Sequence, residues 1–447
     1  MPPLLVHRPR HTQSTPWQQM EIPKAKSPNL STRYLLLMTC GMGGLQVIWS
    51  VVLANGTTHI ISLGASKAWT PLIWLIAPLC GIFVQPLVGI LSDRVETGFG
   101  RRRPLIALGS MGAVLSMNLF AWAADIAAVL SRPSQSETHD KQAAVSIVVA
   151  TVGFLALQVS LQPVQMGFRA LVVDKVDADQ QIHANTWTSC WIGVGNIIGH
   201  LAGSLELDTF QSINRFQILT AIACVCLLST TILCCAAVQE TTCTLQSPRA
   251  GAPRARGTNL DSAQSSVSTH MDTTKYRMGS RLGSATYLVF SMAALLTNSL
   301  LPWLIGSRLV NARGLTATCR IPWAVCQALF ALCMCLQVVV ESWIVSATLI
   351  ACTGISWAMV QGIPFAVIGE VLATDDTKGE HKAQMGAILG LHNVAISLPQ
   401  ILSAMVGSGL LFVAEAVESE NGTAWILGMG SLPAMAATYF TAVDGFA

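Results

Sequence analysis

Four polar side chains recur at helical spacing inside one apolar stretch of this chain: Gln158, Gln162, Gln165 and Arg169, with Asp174 following. Positions three and four apart share one face of a helix, so these groups project together. Amides donate and accept while a guanidinium only donates, a combination suited to a ligand built of hydroxyl groups. An Arg within a membrane-length apolar segment is rare and faces a bundle interior or an aqueous path, which makes Arg169 the leading ligand-binding candidate. The competing reading has Arg169 snorkelling to the interface with Asp174 as a surface partner. Gln46, Asn196 and Asn393 lie in other apolar stretches. They either line the same path or hydrogen-bond one helix to another. His200, Asp174 and Glu370 are the candidates for carrying a proton, and His392 is a further imidazole of that type. A lone His without a carboxylate nearby serves equally well as a simple hydrogen-bonding group.

A second constellation sits in a short turn between apolar stretches: Gln85-Pro86-Leu87-Val88-Gly89, Ser92-Asp93-Arg94, then Arg101-Arg102-Arg103-Pro104. Arg near span ends stays cytoplasmic, so this turn marks a face. It also places Asp93, Arg94, Arg101, Arg102 and Arg103 at the mouth of a helix bundle, where they suit a breakable gate. Asp93 is expected to accept from the amino end of a helix beginning near Gln384, whose dipole favours an anion. Topology alone is the plainer account of the same charges.

The elements that must position these residues are transmembrane helices. Of 447 residues, 52% are hydrophobic and 11% charged, against about 25% charged in a typical soluble domain. About 20 mostly apolar residues make one crossing. Spans are read near 34–54, 69–91, 104–124, 144–173, 187–206 and 216–238, then near 284–305, 321–340, 343–368, 384–413 and 424–442. The expected organisation is a cytoplasmic tail (1–32), a bundle of six helices (33–238), a polar Ser/Thr/Arg/Gly-rich cytoplasmic linker (239–283) and a second, incomplete bundle (284–447). The formal charge of +3 gives no case for nucleic acid. Thirteen Cys, mostly within apolar stretches and without a matching His pattern, read as packing residues, so no metal is implied. No nucleophile–base set argues for an enzyme, and no cofactor is implied.

Charge bias puts the amino terminus inside: the tail, the opening turn and the linker are all basic. The second half then conflicts with itself. Arg308, Arg313 and Arg320 belong inside, yet the single span 284–305 joins them to the inside linker. Either one span is missing or the second half is inverted. Two bundles of about twelve helices in all would favour the missing span. The sequon Asn421-Gly422-Thr423 is expected on the side opposite the cytoplasm.

The chain resembles the sucrose/proton symporter family, within the glycoside–pentoside–hexuronide cation symporters of the major facilitator superfamily. The resemblance rests on Trp69-Thr70-Pro71-Leu72-Ile73-Trp74-Leu75, the turn from Gln85 to Pro104, and Gln165-Met166-Gly167-Phe168-Arg169 through Asp174. Gly195-Asn196-Ile197-Ile198-Gly199, Ile363-Pro364-Phe365-Ala366 and Leu391-His392-Asn393-Val394 with Pro399-Gln400 complete it. It covers roughly residues 33–442, and its flavour is that of fungal sucrose or alpha-glucoside carriers more than plant ones. The resemblance implies an all-α polytopic membrane protein that moves sucrose or a related alpha-glucoside by alternating access, in symport with protons. Its membrane would be plasma or vacuolar, and its partners the sugar, protons and lipid. Plant members carry their coupling acid where Gln158 stands here, and a first-loop His where Lys67 stands. The family's seventh helix has no counterpart between 239 and 283. A non-transporting sugar sensor or an inactive truncated carrier is the alternative.

Overall fold

The computed structural model describes residues 30–65, 73–94, 98–131, 138–205, 214–238, 273–305, 315–374, 385–417 and 422–443. Lys67, the run Trp69 to Leu72, residues 239–272 and Asn421 lie outside them. Among the described residues every regular element is an α-helix. In the first half these are α1 (Thr32–Thr39), α2 (Gly41–Ser62), α3 (Ile76–Arg94), α4 (Arg103–Ala121), α5 (Ala123–Leu130), α6 (Thr138–Lys175), α7 (Ala178–Ser204) and α8 (Arg215–Ala237). The second half holds α9 (Thr273–Ile305), α10 (Leu315–Leu336), α11 (Trp343–Thr374), α12 (Met385–Ala416), α13 (Gly422–Met429) and α14 (Ser431–Val443). Helix α9 begins inside the stretch read from the sequence as linker.

Nine helical segments of the described residues are long and apolar enough to cross a membrane, with α1–α2 and α13–α14 each contributing one. Helices α7 and α9 have 27 and 33 residues and complete the bundle, the polar residues of α7 diluting its apolar run. Local signals account for the helix ends. Ser31 caps α1 through the Tyr34 amide, Pro104 sits in the first turn of α4, and Asn214 with Gln217 forms a capping box on α8. Pro86, Pro163, Pro322, Pro364 and Pro399 all fall inside long helices. Neighbouring helices make this tolerable, since they can satisfy the backbone groups that proline frees.

Polarity is distributed as a hydrocarbon solvent demands. Large apolar side chains such as Leu87, Leu108, Leu115 and Phe412 point outward, while Gln158, Thr220, Asn196 and Gln85 are buried. Apolar burial cannot drive helices together in lipid, so small residues and hydrogen bonds do.

Two antiparallel pairs join the halves. In one, α3 packs on α12, with Gly81 beside Asn393 and Ser397 at one end and Gly89 beside Gly386 at the other. In the other, α7 packs on α9: Ser189 meets Asn298, Gly193 meets Leu295, His200 meets Tyr287 and Gly203 meets Ser284. The start of α7 lies on the arginine-rich face, because Gln180 bonds Leu30 beside the start of α1. Helix α9 therefore runs from the far face toward the arginine-rich face. Helix α8 also ends on the arginine-rich face, with Cys234 donating to the Met38 carbonyl. Ala237 and Thr273 thus stand on opposite faces, and the described residues contain no crossing between them. The second half keeps a consistent sense thereafter. Arg320, at the start of α10, donates to the carbonyls of Thr441, Ala442 and Val443 at the end of α14, so both ends share the arginine-rich face.

Candidate functional site

On the arginine-rich face one carboxylate joins the two halves. Asp93 lies in the last turn of α3, and its two oxygens accept the amides of Gly386 and Ala387, each at 3.1 Å, at the start of α12. The first amides of a helix have no partner within it and carry the positive end of its dipole, so the position favours an anion. The chain turns back at Gly100, whose φ of 105° suits a residue without a side chain. This turn returns Arg101 and Arg102 to Asp93. The Arg101 Nη2 donates to Asp93 Oδ1 at 2.9 Å, and the Arg102 Nη2 lies 3.0 Å from the same oxygen. Arg102 is only 1% exposed. Its Nε donates to Asp174 Oδ2 at 2.8 Å, and its Nη1 donates to the Ser92 hydroxyl. A buried guanidinium held between two carboxylates and a hydroxyl has its charge compensated where water cannot reach. Arg94 is exposed, and Arg103 opens α4.

The helices meet closely at this contact because Gly89 and Gly386 face each other: a Cβ on either would overlap the other's carbonyl oxygen. Beside this contact lies an apolar cluster that plugs the space between the halves. Met166, Ala170 and Leu389 are buried there, with Val88, Leu105, Val173 and Phe365 packed against them. It joins α6 of the first half to α11 and α12 of the second.

Arg169 sits at the edge of that plug. Its guanidinium carbon lies 3.4 Å from the centroid of the Phe365 ring. His392 meets the same ring edge-on, with centroids 5.0 Å apart. The Arg169 Nε and the His392 Nε2 are buried and make no hydrogen bond among the described residues. Further along α6, Gln158 is fully buried, and neither of its amide atoms has a partner there. The Gln162 amide donates to the Gln158 carbonyl at 3.2 Å, and Gln165 is half-buried. Gln158 and Arg169 share one helix but stand about 16 Å apart along its axis at ~1.5 Å per residue. They can therefore contact one ligand together only if it is large or moves along the path.

The remaining candidates divide. The Gln46 amide donates to Asn196 Oδ1 at 2.9 Å, and Ser50 donates to the same atom at 2.7 Å, so this trio ties α2 to α7. The Asn393 amide donates to the Gly81 carbonyl at 3.2 Å across the halves. In this structure all three bond helix to helix. His200 stacks on Tyr287 with centroids 5.3 Å apart, and its Nδ1 is buried without a hydrogen bond. Asp174 is held by Arg102 on the arginine-rich face and not in the interior. Glu370 lies on α11, with its side chain outside the described residues. Sequence reasoning overlooked Phe365, Ser92 and Ser50 as members of these clusters. A Phe or Ser in an apolar stretch carries no periodic signal, and only the need of Arg169 for a neighbour hints at the aromatic ring.

Residues 38–269 match the model of a family described as MFS/sugar transport protein. Over 93% of its length the chain is 26% identical to the general alpha-glucoside permease of Schizosaccharomyces pombe, covering 94% of that protein. It is 35% identical to the sucrose transport protein SUC3 of Arabidopsis thaliana over 40% of its own length and 30% of the plant protein's. Among solved structures, a D-xylose-proton symporter superposes with a TM-score of 0.58 at 11% identity, covering 92% of this chain and 97% of that one. A bacterial homologue of the iron transporter ferroportin, in an outward-facing state, gives 0.58 at 12% identity, covering 92% and 98%. At such identities the likeness is one of fold alone.

Proposed function

This chain belongs to the family of MFS/sugar transport proteins, and on that premise we propose that it carries sucrose or a related alpha-glucoside by alternating access, in symport with protons. It is a multi-pass integral membrane transport protein and not an enzyme. The observation that carries the substrate reading is Arg169: a half-buried side chain where the two halves meet, with its Nε buried and unbonded and its guanidinium seated on an aromatic ring, without a carboxylate partner among the described residues. Donors left unpaired in a low-dielectric interior are costly, and ligand hydroxyls relieve that cost. The fully buried, unpartnered amide of Gln158 offers a second such group further along the path. The names of the similar permease and sucrose transport protein supply the sugar class.

Alternating access needs a face that closes tightly and reversibly. The Asp93–Gly386 contact meets both needs, since it joins a charge to a helix end and not two apolar surfaces. Proton coupling rests on the resemblance. With Gln158 in the acid's place and Asp174 committed to Arg102, the proton carrier falls to Glu370 or His200. The membrane is plasma or vacuolar, with the amino terminus and the arginine-rich face cytoplasmic.

Uptake of labelled sucrose and maltose by cells expressing this chain tests the reading. Accumulation that collapses with a protonophore is expected, and Arg169→Ala abolishes it at unchanged membrane expression. No uptake of either sugar by correctly inserted protein would overturn it. One observation favours a second reading, a non-transporting sugar sensor: Ala237 and Thr273 stand on opposite faces with no crossing between them among the described residues. Sugar-dependent thermal stabilisation without uptake would select that reading.

A further inference from the structure

Arg169 comes from the first half of the molecule and Phe365 from the second, and their contact lies at the apolar plug behind the gate. The ring is held from its edge by His392, which belongs to α12, the helix whose amino end Asp93 binds. One aromatic side chain thus touches Arg169, the gate helix and the plug. Both polar neighbours of the ring, Arg169 Nε and His392 Nε2, are buried and unpartnered, so the ring is the guanidinium's main partner here.

We propose that Phe365 is a positioning residue that parks Arg169 when no ligand is bound and thereby holds the arginine-rich face shut. A cation over an aromatic face is attracted by the ring quadrupole, most strongly when both are desolvated. Because the partners sit on opposite halves, the contact exists only while that face is closed. A ligand whose hydroxyl oxygens accept from Arg169 competes for the same guanidinium. Occupancy then withdraws Arg169 from the ring and removes one of the contacts that keep the halves together. This supplies what coupling requires, a ligand that interacts differently with the closed and open states. The proposal leans on the sugar-carrier reading only for the identity of the ligand; the unliganded contact stands without it.

The test uses the full chain with Leu389→Cys, a buried plug position, as reporter. Its reaction with a membrane-impermeant maleimide is followed from the arginine-rich face, with labelling of the native cysteines in the unsubstituted chain subtracted. Without sugar the parent labels slowly. Phe365→Leu, which keeps apolar bulk and loses the ring face, is expected to label about tenfold faster without sugar, the effect of losing one partly desolvated cation–π contact. Phe365→Trp is expected to restore slow labelling, although it fits the plug worse. Arg169→Gln is expected to match Phe365→Leu, and the double variant to label no faster than either single one. Slow labelling in both Phe365→Leu and Arg169→Gln would overturn the proposal. So would Phe365→Trp labelling as fast as Phe365→Leu, because that is the order packing alone predicts. Should Phe365→Leu not fold, Arg169→Gln decides the matter by itself. The response of the parent to added sucrose is read separately: its absence strikes the substrate reading and leaves these sugar-free comparisons intact.

Discussion

Asp93 and Gly386 are 293 residues apart in sequence, and a hydrogen bond of 3.1 Å joins them across the two halves of the molecule. The Gly89 carbonyl packs against Gly386 from the same helix that carries Asp93. Charge and close backbone approach thus act at one point.

Removing the charge should open that point. Asp93→Asn keeps the shape but leaves Arg101 and the two α12 amides without their anion. Truncating one partner of a buried, hydrogen-bonded charge pair costs roughly 3–5 kcal/mol. Protein that reaches the membrane with sugar uptake at least about tenfold down is expected, since a loss of only 1.4 kcal/mol already gives that factor. Uptake of labelled sucrose at wild-type rate would remove Asp93 from the gate.

Gly386→Ala should reach the same end by another route. Its methyl group overlaps the Gly89 carbonyl and the Asp93 carboxylate, so α3 and α12 must separate. Overpacking of this kind costs about 1–3 kcal/mol. Gly98→Ala, with open space around its added carbon, is the control. Initial uptake rates compare the pair, and equal rates would mean that close approach is unimportant.

Gln158→Leu separates stability from function. Both amide atoms of Gln158 are buried without partners, and each such group costs about 1–3 kcal/mol. A leucine of similar volume is expected to raise the apparent melting temperature by about 1–4 °C. Sugar uptake should fall at the same time, because the ligand loses an amide. A variant with unchanged uptake would make Gln158 a packing residue.

Labelling of single introduced cysteines tests the sense of α9. Gly283→Cys, near the start of α9, and Ser204→Cys, at the end of α7, should react from one side of the membrane. Phe99→Cys, exposed in the gate turn, should react from the other. Reaction of Gly283→Cys on the same side as Phe99→Cys would show α9 running in the opposite sense.

Much of this site was legible in the residues themselves. Arg169 announced itself because an ionised group in an apolar stretch has few uses. The turn from Asp93 to Arg103 did so because its charges cluster between two spans. Asn196 and Gln46 were ambiguous in the sequence, since an amide facing a ligand and one facing another helix leave the same mark. Their mutual bond of 2.9 Å assigns them, in this state, to the helix interface. Asp174 was ambiguous for a related reason: its partner Arg102 is 72 residues away.

The sequence by itself determined the helical membrane architecture, the identity of the arginine-rich face and the presence of an intramembrane cation. These follow from composition and local spacing, because lipid obliges each backbone segment to satisfy its own hydrogen bonds. Only the tertiary structure decided which carboxylate meets which helix end, that Phe365 seats Arg169, and that α9 runs antiparallel to α7. Those are pairings between distant segments, set by where small residues let two helices approach, and no local pattern records the partner.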